Sequence, residues 1–510
     1  MQNKSATPLE MFLARAWRAT ARDRVPFLAA LIFGLAAHTF AFTNKLVNAD
    51  EIESLFGKGA TVTSGRWGLE AVKLLFPDYS MPWLYGLVSL VLLAVSVCLI
   101  VRLFDIKGGL ISVLLAGMIT AFPSQTGTFC FMFTSSAYAL SFLFAVLAVF
   151  LFCRGGWKNA ALAALFMTLS LGIYQSYIAL AASLLLLYAL KLCLDAERDF
   201  KSVIAFCIKA LGMLAVSLSL YALVTLAVFK LTGAEFNTYV RENAAASGIL
   251  GRVRTSYDFF VYYLTYREYA LITSEASRIA HIVLFALCFV GAACAAVKSA
   301  RAGRIGVGAL IVALVLMLPL AVNCMFLAMD KESIHTLVIY SFVAFYVLAA
   351  MLLQRVFDGE TVIKRAARDV IYAALTIALA SNVYFANEVY LEMYLEYENA
   401  YSFYSILLAR AENTDGFDDT KKLAIIGYQD NAVSTRPEID LGYITGPSRD
   451  LINIYSRENF IRRYLGSEIP LATQSELDAL TASAEFAEMN EYPYYGSIKI
   501  IDDCVVVKLG

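Results

Sequence analysis

The sequence predicts a polytopic α-helical membrane protein with about 11 transmembrane helices and a small C-terminal α+β domain outside the cytoplasm. Hydrophobic residues make up 60% of the 510 positions and charged residues only 16%, whereas a soluble domain carries about a quarter charged residues. The mean hydropathy of +0.66 indicates lipid as the solvent for most of the chain. Residues 414–510 differ, because they are polar and carry short strand-like patterns.

A helix that crosses the hydrocarbon core needs about 20 apolar residues, since each residue adds about 1.5 Å of rise. Runs of this kind lie at 25–44, 83–101, 108–123, 136–153, 158–175, 177–194, 203–229, 279–297, 305–328, 334–353 and 370–386. The fifth and sixth runs are almost continuous, and one helix of their combined length would be far too long for the bilayer. We therefore predict a tight re-entry at 174–177.

Lysine and arginine residues predict the orientation, because cytoplasmic connections are enriched in them. The basic N-terminal segment 1–24 and every second connection after it carry such residues, whereas 121–136 and 174–177 carry none. We therefore expect a cytoplasmic N-terminus and a transmembrane domain over 25–386. The segments expected outside are 45–82, 230–278 and 387–510.

Two amphipathic segments are expected at the outer surface. Residues 257–272 are strongly aromatic but contain Asp258, Arg267 and Glu268, so an interfacial helix is favoured over a further span. After the last span, 387–413 is predicted to continue as a helix, because tyrosines recur there at steps of four and three. These are Tyr390, Tyr394, Tyr397, Tyr401 and Tyr404.

The C-terminal domain, 414–510, is predicted to contain a buried strand at 422–428 and a helix at 448–465. A hairpin over 496–509 would turn at Asp502 and Asp503. The domain has no histidine, no glycine-rich phosphate loop and no nucleophile elbow. We interpret it as structural or acceptor-binding.

Composition excludes several functions. The net charge of -1 gives no reason to expect nucleic acid as a partner. Most of the nine cysteines lie in apolar runs and no pair has zinc-ligand spacing, so neither a metal site nor a disulfide framework is predicted.

The first outside loop carries the most reactive chemistry. Asp50, Glu51 and Glu53 place three carboxylates in four positions directly after the first span. Partial desolvation beside another carboxylate raises a carboxyl pKa, which suits a general base. Arg66 follows, and its planar guanidinium suits a phosphate. A solvated loop with incidental acids is the alternative interpretation.

The junction between the fifth and sixth runs contains Tyr174 and Gln175. An amide at bilayer depth needs a hydrogen-bond partner, because an unsatisfied one is costly there. Gln175 is therefore expected either to line a polar cavity or to bond a neighbouring helix.

These motifs occur in an order that resembles the GtrII-type bacterial glucosyltransferases. The order is an acidic pair after the first span (Asp50-Glu51), a Gly-Arg about 15 residues later (Gly65-Arg66), a Pro-Ser at the outer end of the third span, and Tyr174-Gln175. The closing YPYYGSIKIIDDCVVVKL is also similar to the end of that family, so the resemblance covers nearly the whole chain. The family's acidic pair is most often two aspartates, whereas the second acid here is Glu51.

The resemblance implies a GT-C-like membrane glycosyltransferase that lies in the bacterial cytoplasmic (inner) membrane and works outside the cytoplasm. Its donor would be a polyprenyl-phosphate-linked sugar, with glucose the expected sugar, and its acceptor a glycan or glycolipid of the cell envelope such as O-antigen. Asp50 or Glu51 would take the acceptor's proton during one inverting displacement. Neither a cofactor nor a metal is implied.

The remaining candidate residues are expected to bind the donor. Arg66, Lys331 and Arg241 would balance the charge of the departing phosphate, and Tyr174 and Gln175 would contact substrate.

Three alternatives stay open from the sequence. A polysaccharide polymerase or ligase would also have many spans, but it favours outside loops rich in arginine and histidine. A lipid-linked sugar flippase or transporter would favour charged or broken helices at mid-membrane and an internal repeat. A non-catalytic scaffold that displays the C-terminal domain is the third.

Overall fold

The computed structural model describes residues 21–54, 61–77, 79–195, 198–238, 248–265, 274–329, 334–429, 451–453 and 455–510. Its contacts divide the described residues into two compact units. The first unit comprises the described residues up to 44 and those between 61 and 387. The second comprises 45–54, the described residues between 388 and 429, and the described residues from 451 onward.

The first unit is built from helices. The α-helices are Ala21–Thr43, Trp67–Val72, Pro82–Leu103, Gly109–Thr120, Pro123–Cys130, Met132–Arg154, Trp157–Ile173, Tyr177–Leu194, Phe200–Thr232, Ile249–Thr265, Glu275–Arg301, Ile305–Val322, Val343–Arg355 and the first half of Val362–Glu412. Short 3-10 helices lie at Val62–Ser64, Cys324–Leu327 and Thr336–Phe342.

Within the described part of the chain, ten helices are long and apolar enough to cross a membrane. The fifth predicted span is instead the 17-residue apolar helix Trp157–Ile173, which is shorter than these ten. It ends at Ile173 and the next helix begins at Tyr177, so the predicted break between two helices at this junction is confirmed, and re-entry into the membrane there stays a prediction. The prediction of a many-helix membrane protein is confirmed as well.

The third span extends further than the sequence predicted. Its helix Gly109–Thr120 is followed by Pro123–Cys130, every residue of which is buried, although 121–136 was expected as an outside connection. Two hydroxyl groups of this short helix bond to backbone carbonyl groups. Thr128 donates to the Ser124 carbonyl at 2.9 Å, and Ser124 donates to the Thr336 carbonyl at 2.5 Å. Hydroxyl groups satisfied in this way are tolerated in a protein interior.

Helix Ile249–Thr265 contains the described part of the segment predicted as interfacial, since 266–272 lie outside the described residues. Four hydrogen bonds between described residues attach the helix to the chain around Asn323, one of them from the Ser256 hydroxyl to the Asn323 carbonyl at 3.3 Å. Arg252 donates to the Leu327 carbonyl at 2.9 Å, Tyr257 to the Leu316 carbonyl at 2.8 Å, and Asn323 to the Ser256 carbonyl at 2.7 Å. The helix is therefore bound to the rest of its unit by polar contacts, and whether it lies at the membrane surface stays a prediction.

The second unit combines helices with a three-stranded sheet. Its α-helices are Ala49–Glu53, the second half of Val362–Glu412, Arg457–Asn459, Gln474–Thr481 and Ala484–Ala487, with a π-helix at Phe460–Tyr464. The strands are β1 (Lys422–Ile426), β2 (Ile498–Ile501) and β3 (Cys504–Lys508), in the order β1-β3-β2.

The pairing in this sheet confirms two predictions. β1 is the predicted buried strand and runs parallel to β3. β2 and β3 form the predicted hairpin, antiparallel, with Ile501 opposite Cys504. Asp502 in the turn has a φ of 52°, a left-handed conformation that aspartate tolerates better than most residues.

The tyrosine stripe of the long helix divides into two sets. Tyr390 and Tyr404 are fully buried, and the ring of Tyr397 packs edge-on against Phe460 with the centroids 6.4 Å apart. These three positions, of which Tyr397 is half-buried, repeat every seven residues, as expected for one face of a helix. Tyr394 and Tyr401 are more exposed, at 36% and 43%.

The predicted helix at 448–465 is wrong over 451–453 and 455–456, and 448–450 and 454 lie outside the described residues. Helical structure begins only at Arg457. The Asn453 side chain accepts from the backbone N–H groups of Tyr455 and Ser456, at 2.9 and 3.0 Å. Such side-chain bonds offer the backbone an alternative to a helix, which delays the start.

Candidate functional site

The loop before Arg66 is shaped by a short turn and one glycine. A 3-10 turn over Val62–Ser64 is followed by Gly65, whose φ of 71° is left-handed. A Cβ at this position would lie 2.6 Å from the Tyr221 hydroxyl oxygen, so a larger residue would clash as well as strain the backbone. The N–H of Arg66 then donates to the Thr61 carbonyl at 2.8 Å, which closes the turn and begins helix Trp67–Val72.

That helix lies in direct backbone contact with the end of Trp157–Ile173. A Cβ at Gly68 would lie 2.7 Å from the carbonyl carbon of Gly172. A Cβ at Gly172 would lie 2.5 Å from the Trp67 ring. Two glycines therefore permit the close approach that sets Arg66 beside the junction at 174–177.

The guanidinium of Arg66 is held against two tyrosines. Its Nη1 donates to the Tyr138 hydroxyl at 3.1 Å, and its Cζ lies 5.4 Å from the centroid of the Tyr174 ring. The Tyr138 and Tyr174 rings are themselves stacked, with centroids 4.3 Å apart. A cation over an aromatic face gains about 0.5–2 kcal/mol, more where water is excluded. The direction of the guanidinium is thus fixed before any ligand binds.

Gln175 binds the same loop. Its Nε2 donates to the Ser64 carbonyl at 2.9 Å and to the Tyr221 hydroxyl at 3.0 Å. Tyr221 donates onward to the Gly65 carbonyl at 3.0 Å. Of the two roles left open by the sequence, this geometry is that of an amide bonded to neighbouring elements. Gln175 and Tyr221 position the turn that carries Arg66.

The two acids of the first outside loop have opposite environments. Both lie on helix Ala49–Glu53, whose N-cap Asn48 accepts from the Glu51 N–H at 2.9 Å. Successive residues on a helix point about 100° apart. Asp50 is exposed, whereas only 2% of the Glu51 side chain is exposed.

Glu51 is buried as one member of an ion pair. Its Oε1 accepts a hydrogen bond from Lys45, and its Oε2 is buried without a hydrogen-bond partner among the described residues. The nearby Tyr464 hydroxyl is likewise buried and unpartnered within that part of the chain. Burial raises the pKa of Tyr464, and the negative charge of Glu51 raises it further. Glu51 therefore sits in packed protein and not at an open rim.

The acidic helix is anchored in the second unit. Ile52 and Val47 are fully buried in the hydrophobic core formed with the sheet, Phe460 and the long helix. Asn459 donates to the Glu53 carbonyl at 2.8 Å. The position of Asp50 is thus set by the C-terminal part of the chain, a dependence that short sequence motifs do not indicate.

The structure brings Arg66, Tyr174 and Gln175 together in the first unit, and it places Asp50 and Glu51 side by side in the second. Arg241 and Lys331 lie outside the described residues. The sequence interpretation missed Tyr138 and Tyr221. The available signal was the one applied to Gln175, because a hydroxyl inside an apolar helix also needs a partner.

The Pro-Ser-Gln motif at 123–125 is buried near the centre of the first unit. Tyr340, next to it, stacks on Phe122 at 5.8 Å and donates to the Ile119 carbonyl at 2.7 Å. Gln125 is 1% exposed, and its Nε2 has no hydrogen-bond partner among the described residues. In the same part of the chain, no three His, Cys, Asp or Glu side chains group as ligands for a metal ion.

Comparison with known proteins identifies the family. The family model described as "Glucosyl transferase GtrII" matches residues 39–353, more than half of the chain. This range contains both acids, the Arg66 turn and the Tyr174-Gln175 junction, and it ends before the closing segment that was also expected to be similar. Searches of curated proteins and of solved structures found no match. The chain belongs to the GtrII glucosyl transferase family and is a membrane glycosyltransferase.

Proposed function

We propose that this enzyme moves a glucosyl unit from a polyprenyl-phosphate donor to a glycan or glycolipid acceptor outside the cytoplasm of a bacterium. The family supplies the reaction class. The observation that carries the choice of residues is the contrast between an exposed Asp50 and a buried, ion-paired Glu51. An exposed carboxylate can meet an incoming acceptor hydroxyl, whereas a buried charge is retained only when it is paired.

The proposed step is a single inverting displacement. The acceptor oxygen attacks the anomeric carbon while its proton passes to the Asp50 carboxylate. The bond from that carbon to the phosphate oxygen breaks, and polyprenyl phosphate leaves with the bonding electrons. The anomeric configuration inverts once.

Arg66 is proposed to stabilise the leaving phosphate. Its planar guanidinium is oriented by Tyr138 and Tyr174, so little reorganisation is needed when negative charge develops. Gln175 acts indirectly, by holding the turn through Ser64. Arg241 and Lys331 stay proposed donor-binding residues on the basis of the sequence alone.

The orientation is proposed from the alternation of basic residues, with the N-terminus inside and both the acidic loop and the C-terminal domain outside. A reporter fused after Gly510 tests it. Activity of a reporter that functions only outside the cytoplasm supports the proposal, and activity of a cytoplasm-specific reporter contradicts it.

The test of the base compares three substitutions on one short helix. Asp50→Asn is expected to lower kcat roughly 10²–10⁴-fold, the usual contribution of a general base. Glu51→Gln should lower activity less and mainly through stability, and Glu53→Gln serves as the matched control with activity near wild type. The readout is glucosyl transfer by purified enzyme to its envelope acceptor, together with glycan analysis of a complemented deletion strain. Full activity of Asp50→Asn would show that Asp50 is not the base.

A further inference from the structure

A basic cavity lies at one end of the first unit, far along the chain from the acidic loop. It has a volume of about 290 Å³ and forms where several helices end or begin. Its lining includes four basic side chains and no acidic one. The four are Lys298, Arg304, Arg355 and Lys364.

Only one of these cations has a carboxylate partner among the described residues. Arg355 pairs with Asp195 at 2.6 Å, and Asp195 also accepts from Lys191 at 2.6 Å, so the carboxylate is already shared. Arg304 and Lys364 donate to the backbone carbonyls of Arg198 and Asp358, at 3.0 and 2.9 Å.

The Lys298 side chain makes no hydrogen bond or ion pair to the described part of the chain. Three positive charges, on Lys298, Arg304 and Lys364, therefore border the cavity without compensation by a described carboxylate. A cavity of this kind attracts an anion.

Each of these three cations is adjacent in sequence to an exposed apolar side chain. Val297 precedes Lys298 and is 48% exposed, Ile305 follows Arg304 and is 71% exposed, and Ile363 precedes Lys364 and is 82% exposed. A free anion would make no use of these apolar side chains. An amphiphile would, because its chains cover apolar surface while its headgroup meets the charges.

We propose that this cavity binds the phosphate headgroup of an anionic phospholipid, with the acyl chains lying along Val297, Ile305 and Ile363. The site is separate from the residues assigned to glycosyl transfer and does not depend on that proposal. Since the four cations that line the cavity lie at the ends or beginnings of four different helices, a bound headgroup would also tie these helices together.

Native mass spectrometry and thermal unfolding of the full-length protein, stripped of lipid in a neutral detergent, test this proposal. Phosphatidylglycerol, phosphatidylcholine and inorganic phosphate are the three probes. We expect phosphatidylglycerol to bind and to raise the Tm, since a ligand that binds only the folded state stabilises it. Phosphatidylcholine has a phosphate but no net charge, and it should bind much more weakly.

The variant Lys298→Gln/Arg304→Gln/Lys364→Gln is compared with Arg154→Gln/Lys158→Gln/Lys201→Gln. The control removes the same charge from segments predicted on the same membrane face, and none of its residues lines the cavity. The cavity variant should bind phosphatidylglycerol about fivefold more weakly for each charge removed, and the control should bind as wild type does.

Equal binding by the two triple variants would overturn the proposal. Displacement of phosphatidylglycerol by inorganic phosphate at equal concentration would also overturn it, because the site would then be one for soluble anions. If the triple variant does not fold, Lys298→Gln alone decides the question. Its side chain makes no bond to the described residues, and we expect about fivefold weaker lipid binding.

Discussion

The two halves of the first outside loop, 45–54 and 61–72, belong to different units of the molecule. In sequence they are neighbours within the single segment 45–82. In the structure the first half packs with the sheet and the C-terminal helices, through Val47 and Ile52. The second half packs on the end of Trp157–Ile173, where Gly68 meets Gly172.

This difference separates the two chemical roles proposed for the loop. The exposed acid is held by a core that includes residues more than 400 positions away, as the bond from Asn459 to Glu53 illustrates. The arginine is held by tyrosines on the membrane-crossing helices and their junction. A substitution in the core that holds the acid should therefore affect the role of Asp50 and leave 61–72 folded. A substitution of the tyrosines that hold the arginine should affect the role of Arg66 and leave 45–54 folded.

After Asp50→Asn, the largest expected effect comes from the arginine half. Arg66→Met removes a charged donor aimed by two tyrosines, and we expect kcat to fall roughly 10²–10³-fold. Arg66→Lys keeps the charge but loses the planar guanidinium, so its activity should lie between those of the wild-type enzyme and Arg66→Met. Glucosyl transfer by the purified enzyme measures both variants.

The matched control is Arg254→Met, which removes an exposed arginine whose ion pair with Asp258, at 3.5 Å, is on the surface. It should change activity little, since exposed pairs contribute at most about 1 kcal/mol. Neither arginine variant should change the unfolding temperature of the acidic half. An Arg66→Met enzyme with wild-type kcat would remove this residue from the proposed mechanism.

The acidic half is tested through its buried ion pair. Lys45→Met leaves the Glu51 carboxylate buried without its partner, and we expect a loss of about 1–3 kcal/mol in the free energy of unfolding. Thermal unfolding of the full-length protein in detergent measures this loss. Arg66 lies in the other unit, so donor binding should be affected less than stability.

The single variant Glu51→Leu and the double variant Lys45→Met/Glu51→Leu complete a double-mutant cycle. Because it removes both charges, it should recover part of the stability that Lys45→Met loses. A double variant less stable than either single variant would contradict a pairwise interaction. If Glu51 has only this structural role, the double variant should retain substantial transfer activity.

The smallest effect is expected from an exposed pair in the same unit, Lys422 with Glu476 at 2.6 Å. The bond to Lys422 is the main reason that the pKa of Glu476 is lowered to about 2. An unfolded glutamate has a pKa of about 4.3, so the folded state binds fewer protons between these values. The pair therefore stabilises the fold above pH 4.3, and its contribution disappears as the pH falls toward 2.

Lys422→Met should accordingly lower the Tm slightly at pH 7, and the difference from wild type should shrink as the pH falls below 4.3. Lys499→Met, on an exposed position of β2, is the control and should show no such pH dependence. A difference that grows in acid would mean that the pair is not what stabilises this region.

Sequence patterns predicted the helices well because membrane spans are defined by composition over about 20 residues. The hairpin and the buried strand were predictable for a similar reason, since alternating apolar residues around two aspartates have few other solutions. The helix at 448–465 was not, because Asn453 bonds to the backbone and competes with the expected turn. The burial of Pro123–Cys130 was also missed, since the Ser124 hydroxyl bonds to a carbonyl far along the chain, that of Thr336.

By itself the sequence determined the membrane class, the order of the helices and the family motifs, because each depends on local composition or spacing. Only the tertiary structure decided which of two adjacent acids is exposed, since that depends on how helix Ala49–Glu53 is rotated against a core built from residues beyond 388. It likewise decided that Gln175 bonds the Arg66 turn and that Tyr138 and Tyr221 belong with it. These features depend on contacts between residues that are distant in the chain. The spacing of short motifs does not predict such contacts.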